Sequence, residues 1–163
     1  MQVRLRRAGA VVASLLVVAC GSDSTGPGSG GPGGSMRATV AGVDFNPPAT
    51  TVGASYVNNV LTLQGSTTSS PVTAISINVL NVTGPGTYQL NPNFAATFAQ
   101  VAITNGATAQ LWTTALSPGN GSISVTTLSS TRVAGTFTFT AQFASGGATG
   151  QKTVTSGTFD IPL

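Results

Sequence analysis

Very few side chains here can do acid–base or nucleophilic chemistry. The 163-residue chain contains no His and no Glu. Its acids are Asp23, Asp44 and Asp160, its only lysine is Lys152, and its only cysteine is Cys20. Without His, no His-containing triad and no common zinc site can be built. Asp44 and Asp160 are the only pair within the later part of the chain that could act as two carboxylates on a glycosidic bond. Both have a plainer reading. Asp160 alternates with Phe159 and Ile161, which puts it on the solvent face of a strand, and Asp44 sits at a strand end just before Phe45. Lys152 could activate a serine, but nothing in the sequence marks which one. No catalytic residue is assigned, and neither a metal site nor a cofactor is expected.

Cys20 has a more specific context. Arg4, Arg6 and Arg7 precede an apolar run from Ala8 to Val18. Eleven residues are too few for a mature membrane span, which needs roughly twenty, but they suit the core of a signal peptide. Sec export fits the flanking residues better than the twin-arginine route. The run closes Val17-Val18-Ala19-Cys20, which resembles the bacterial lipobox. That resemblance implies cleavage after Ala19 and acylation of Cys20. A single cysteine also precludes an intramolecular disulfide framework.

Residues 1–19 are therefore expected to be a lipoprotein signal peptide, and residues 20–35 the lipidated Cys followed by a tether. Gly21 to Ser35 is Gly, Ser and Pro with one Asp and one Thr. Such a segment has too little to bury to offset its ordering entropy, and its r.m.s. span is about 20 Å. Gly26, Gly28 and Gly31 spell G-x-G-x-x-G, but the motif binds dinucleotides only between a strand and a helix. The net charge of +3 belongs to the whole chain. From Cys20 onward Arg37, Arg132 and Lys152 balance Asp23, Asp44 and Asp160. A neutral domain lacks the electrostatic footprint of a nucleic-acid binder and the polybasic patch that holds anionic lipid. Membrane attachment is expected through the acyl chains on Cys20.

The elements that must position everything else lie in residues 36–163, a single domain. Gly135-Thr136-Phe137-Thr138-Phe139 and Gly157-Thr158-Phe159-Asp160-Ile161 repeat one motif, with a looser copy at Gly86-Thr87-Tyr88-Gln89-Leu90. Apolar and polar residues alternate with period two, as on a half-buried strand. The glycines share the aromatic face, where a missing side chain admits a neighbouring ring. Strands are predicted near 37–45, 53–57, 60–66, 73–82, 87–90, 95–104, 107–116, 122–128, 132–143 and 152–162. Asn58-Asn59 and Asn105-Gly106 read as tight hairpin turns. The fold class is all-β: an antiparallel meander of about eight to ten strands forming a β-sandwich or flattened β-barrel. For Phe137 and Phe139 to share a face with Phe159 and Ile161, Val154 must point outward or a bulge must lie between Val154 and Gly157. An Asn105-Gly106 turn places Trp112 opposite Ala99, on the core side.

Lipobox, Gly-rich tether, Gly42-Val43-Asp44-Phe45, the central Gly-Thr-Tyr and the two Gly-Thr-Phe strands together resemble a family of small, uncharacterised bacterial lipoproteins known as a domain of unknown function. The resemblance implies an exported, membrane-anchored protein, in the outer membrane rather than the inner. It brings no catalytic or binding residues with it. In that setting the sequons at Asn81 and Asn120 carry no glycan. Gly146 to Thr153 has the wrong Gly-to-Lys spacing for a phosphate loop and precedes a strand, so it reads as a hairpin connection. Calcium held by Asn-rich turns with Asp44 would lack the acidic ligands it needs. Trp112, Tyr56, Tyr88, Phe94 and Phe98 could line a sugar-stacking face or an apolar pocket, or simply fill the core. The leading expectation is a non-catalytic β-domain that binds or scaffolds at the cell surface or periplasmic face, its protein or glycan partner unknown. A small apolar-ligand carrier with a barrel cavity is the second, and a hydrolase the third.

Overall fold

The computed structural model describes residues 33–92, 96–147 and 149–163. The expected signal peptide, Cys20, the expected tether as far as residue 32, and Phe94 lie outside the described residues. Among the described residues eleven strands form one antiparallel sheet: β1 (Ser35–Val40), β2 (Val43–Phe45), β3 (Val52–Val57), β4 (Val60–Ser66), β5 (Val72–Val79), β6 (Gly86–Gln89), β7 (Phe98–Asn105), β8 (Thr108–Thr113), β9 (Asn120–Leu128), β10 (Arg132–Ser145) and β11 (Gln151–Pro162). Their order is β2-β1-β11-β10-β8-β7-β5-β4-β3, with β9 on β10 and β6 on β9. The sheet curls into a half-barrel. The expected all-β, antiparallel class holds, with eleven strands instead of eight to ten. The meander is interrupted where β6 leaves the β5–β7 pair and where β1 returns beside β11.

Strand β10 explains the curl. Its first half pairs with β9, from Val133 opposite Leu128 to Thr140 opposite Asn120, and its end pairs with β8, Gln142 facing Thr113. One strand thus feeds two lobes. Inward-facing side chains of both meet in one core that includes Leu61, Leu63, Ile75, Ile77, Val101, Trp112, Ile123, Val133, Phe137, Phe139, Val154, Phe159 and Ile161. The period-two pattern of the sequence is what builds it: most of these residues alternate with an outward polar or small residue.

The repeated Gly-Thr-Phe motifs are paired with each other. Gly135 faces Phe159, Thr136 faces Thr158, and Phe137 faces Gly157. Each ring fills the place of the opposite glycine's absent side chain. A Cβ on Gly135 would come within 2.8 Å of Phe159 Cζ, and one on Gly157 within 2.6 Å of Phe137 Cε2. The rings of Phe137 and Phe159 lie 6.4 Å apart, tilted by 32°. Beyond Gly157 the register slips, since Phe139 pairs with Val154. One residue of β10, Thr138, opposes two of β11, Thr155 and Ser156, and the same slip occurs against β1 between Arg37 and Thr39. The bulge therefore lies between Val154 and Gly157, with Ser156 at φ 53°, and it turns Val154 into the core. Of the two outcomes the spacing allowed, the bulge is the one realised.

Two turns differ from expectation. The stretch read as one strand over 37–45 is a hairpin, with Val40 opposite Val43 and Ala41-Gly42 between them at φ 49° and 84°. Positive φ at both central positions is the type I′ pattern, costly for Ala, and hence hard to read from sequence. The β7–β8 turn is Gly106-Ala107 instead of Asn105-Gly106, because Asn105 pairs with Thr108. Trp112 consequently faces Val101 and not Ala99. A two-residue slip leaves the face unchanged, so Trp112 is still buried. Asn58-Asn59 forms the expected turn, both residues at positive φ.

Candidate functional site

Register places four connections at one end of the sheet: the turn at 41–42, the β4–β5 loop at 67–71, the turn at 106–107, and the β10–β11 loop at 146–150. Loops gathered at the rim of a rigid sheet are where binding residues tend to collect. A cleft of about 330 Å³ opens there, lined by Val40, Ala41, Val43, Asp44, Phe45, Thr67, Ser69, Ser70, Pro71, Thr73, Ile103 and Lys152. That is near the lower bound of the roughly 300–1,000 Å³ typical of small-molecule pockets. Its floor is buried Val40 and Phe45, and its rim carries Val43 at 69% exposure. Thr67 fixes the loop: its hydroxyl accepts from the Thr73 N–H at 2.9 Å, and its own N–H donates to the Thr73 carbonyl at 2.9 Å.

Lys152 stands in the inward register of β11, two residues before buried Val154. Its ammonium lies over Trp112, 4.8 Å from the ring centroid. Trp112 is held in turn by an edge contact with Phe143 at 6.4 Å and by its indole N–H, which donates to the Gly150 carbonyl at 3.2 Å. The loop segment 149–150, the ring and the cation therefore form one assembly. A cation over an aromatic face is favourable, but the ring offers no ordinary hydrogen-bond acceptor to an ammonium that carries three donors. Among the described residues, no carboxylate lies within ion-pair distance of Lys152.

The two aspartates do not meet. Asp44 is opposite Thr39 and Asp160 opposite Ser35 on β1. Four residues along the strand and two strand spacings separate them by roughly 16 Å, beyond the roughly 5–9.5 Å that glycosidase carboxylates need. Asp160 faces outward as expected, and takes hydrogen bonds from Arg132 Nε at 2.7 Å and Nη2 at 2.5 Å. The Arg132 hydrogen bonds hold its carboxyl below the usual carboxylate range, and the guanidinium is raised by the same contact. Ser69 and Ser70 share the cleft with Lys152, so the structure supplies the neighbouring hydroxyls that sequence could not single out. No hydrogen bond joins them to the amine among the described residues.

The aromatic candidates divide. Trp112 is core. The Tyr56 hydroxyl donates to the Val82 carbonyl and the Tyr88 hydroxyl to the Gly84 carbonyl, each at 2.7 Å, so both pin loops. Phe98 is half-buried and in the outward register of β7, two residues from Gln100. Gln100 belongs to a polar row crossing six strands, Gln64-Ser76-Gln100-Thr113-Gln142-Gln151. Among the described residues no three His, Cys, Asp or Glu side chains converge, and no helix is long and apolar enough to cross a membrane.

The fold and its rim thus define a small antiparallel half-barrel with a cleft among its hairpin loops. The model of DUF6252, a domain of unknown function, matches residues 35–161, and the chain belongs to that family. Comparison with curated proteins and with solved structures gives no match.

Proposed function

We propose that this protein is a lipid-anchored lipoprotein of the cell envelope, outer membrane in preference to inner, whose β-domain binds without catalysing. The observation that carries the binding part is the open cleft at the hairpin end, with its apolar floor and its one cation. The anchoring part rests on the Arg-rich start, the short apolar run and the lipobox at Cys20. The carrier reading gains from the cleft as well, though the cleft opens at the rim while the interior between the lobes is filled by Trp112, Phe137, Phe139 and Phe159.

Two measurements test this. Cys20→Ser should leave the protein unprocessed or released from membranes; a variant processed at the same site that still fractionates with membranes refutes the anchor. In a pull-down from native envelope, Val43→Glu at the exposed rim should lose a component that wild type and Thr136→Glu retain. Equal recovery by all three means that the cleft is not the seat.

A further inference from the structure

We propose that the cleft takes a medium-length acyl chain bearing a free carboxylate, with the carboxylate on Lys152; this rests on the cleft being the binding seat. The apolar part of the argument is the lining. Val40 and Phe45 form a buried floor, and Ile103, Pro71 and Val43 form apolar walls up to the rim. Removing an alkyl chain from water against such a surface is the main driving force available here.

The polar part is Lys152. It is the only lysine in the chain, and the bulge in β11 puts it, with Val154, on the same face as Phe159 and Ile161. An inward-register lysine must desolvate part of its stem and keep its head satisfied. Trp112 takes one side of that head, and no carboxylate of the described chain takes the other. The space it faces is the cleft.

The head group follows from what surrounds the amine. Lysine is a compact point charge, where a phosphate is ordinarily met by a guanidinium fork, several cations or a helix N-terminus. Here the other charged side chain lining the cleft is Asp44, which opposes a dianion. One cation with the Ser and Thr hydroxyls of the 67–73 segment nearby suits a monoanion. A carboxylate satisfies that, and an apolar floor calls for a chain behind it.

The test uses the mature chain, residues 20–163, carrying Cys20→Ser so that it has no acyl chains of its own. Calorimetry compares undecanoate, its methyl ester and undecyl phosphate, while emission from Trp112, the only tryptophan, reports on the site. Undecanoate should bind saturably with a change in Trp112 emission. It should bind about tenfold or more tighter than the ester, as a hydrogen bond to a charged group implies, and tighter than the phosphate. Lys152→Met, which keeps the stem, should erase the preference for acid over ester, and Lys152→Arg should retain most of it. Tighter binding of the phosphate points to a lipid head group and overturns the carboxylate assignment. Equal binding of acid and ester by wild type, or a preference that survives in Lys152→Met, overturns the role of Lys152 but leaves an apolar cleft. If nothing binds, the ligand class is wrong; the Val43→Glu pull-down then decides whether the cleft reading falls with it.

Discussion

At the scale of single residues, the mutual fit of Gly135 with Phe159 and Gly157 with Phe137 carries the most information. Cutting Phe137 or Phe159 to Ala should cost about 3–5 kcal/mol, as for buried aromatic rings, a large part of the roughly 5–15 kcal/mol that holds a domain together. Gly157→Ala should cost about 1–3 kcal/mol or more, the usual range for overpacking, because the new methyl enters the Phe137 ring. Thr136→Ala, on the exposed face, should cost well under 1 kcal/mol. Denaturant titration checks all three, and a tolerant Phe137 beside a sensitive Thr136 would mean that the inward face has been misassigned. The ion pair gives a pH prediction. Asp160 is more acidic folded than unfolded, so its contribution is present above its ordinary value of 3.8 and is lost as pH falls through the lower folded value. A carbon-detected NMR titration should find the Asp160 midpoint below 3.8, returning toward it in Arg132→Gln. The glycine–aromatic pairing was visible in sequence as a repeated motif. Parity narrows the residue opposite Phe137 to Gly157 or Phe159, and the structure has Gly157; which of the two was not visible, because pairing depends on a register that the motif alone does not set.

At the scale of elements, strand positions follow closely from alternation and turn residues, and β4 runs over the predicted 60–66. Misses occur where a turn uses an unexpected residue. Ala41 accepts a positive φ that Asn or Gly would take more readily, and Gly106 serves as the first central residue of its turn instead of the second. Parity rescues the inference at Trp112, since a slip of two residues preserves the face. The bulge is the opposite case, where a slip of one residue changes everything that follows. Deleting Ser156 should therefore be far more damaging than its exposure suggests. Either Lys152 and Val154 or Phe159 and Ile161 must turn outward, and the variant should lose its dispersed NMR spectrum. Inserting one glycine beside Gly147, in the loop of the same hairpin, should leave the spectrum dispersed.

At the scale of the whole molecule, the cleft could not be read from the chain because its lining comes from the β1–β2 hairpin, the 67–73 segment, β7 and β11, spread between residues 40 and 152. Only closure of β1 against β11 brings Val43 and Lys152 to one rim, and nothing local in either segment announces that pairing. The same closure sets where the chain enters. Ser35 pairs with Asp160 and Val40 with Val154, so β1 runs from the far end of the sheet toward the cleft, and β11 returns from the cleft to the far end. Both termini of the domain emerge at the pole opposite the cleft. In a protein held by its N-terminus while something grips the cleft, tension runs along β1 and β11 instead of across them. The hydrogen bonds joining the two strands then share the load side by side in shear, rather than opening one after another as a zipper would. A domain attached in this way resists pulling along the line in which its anchor and its cargo would pull.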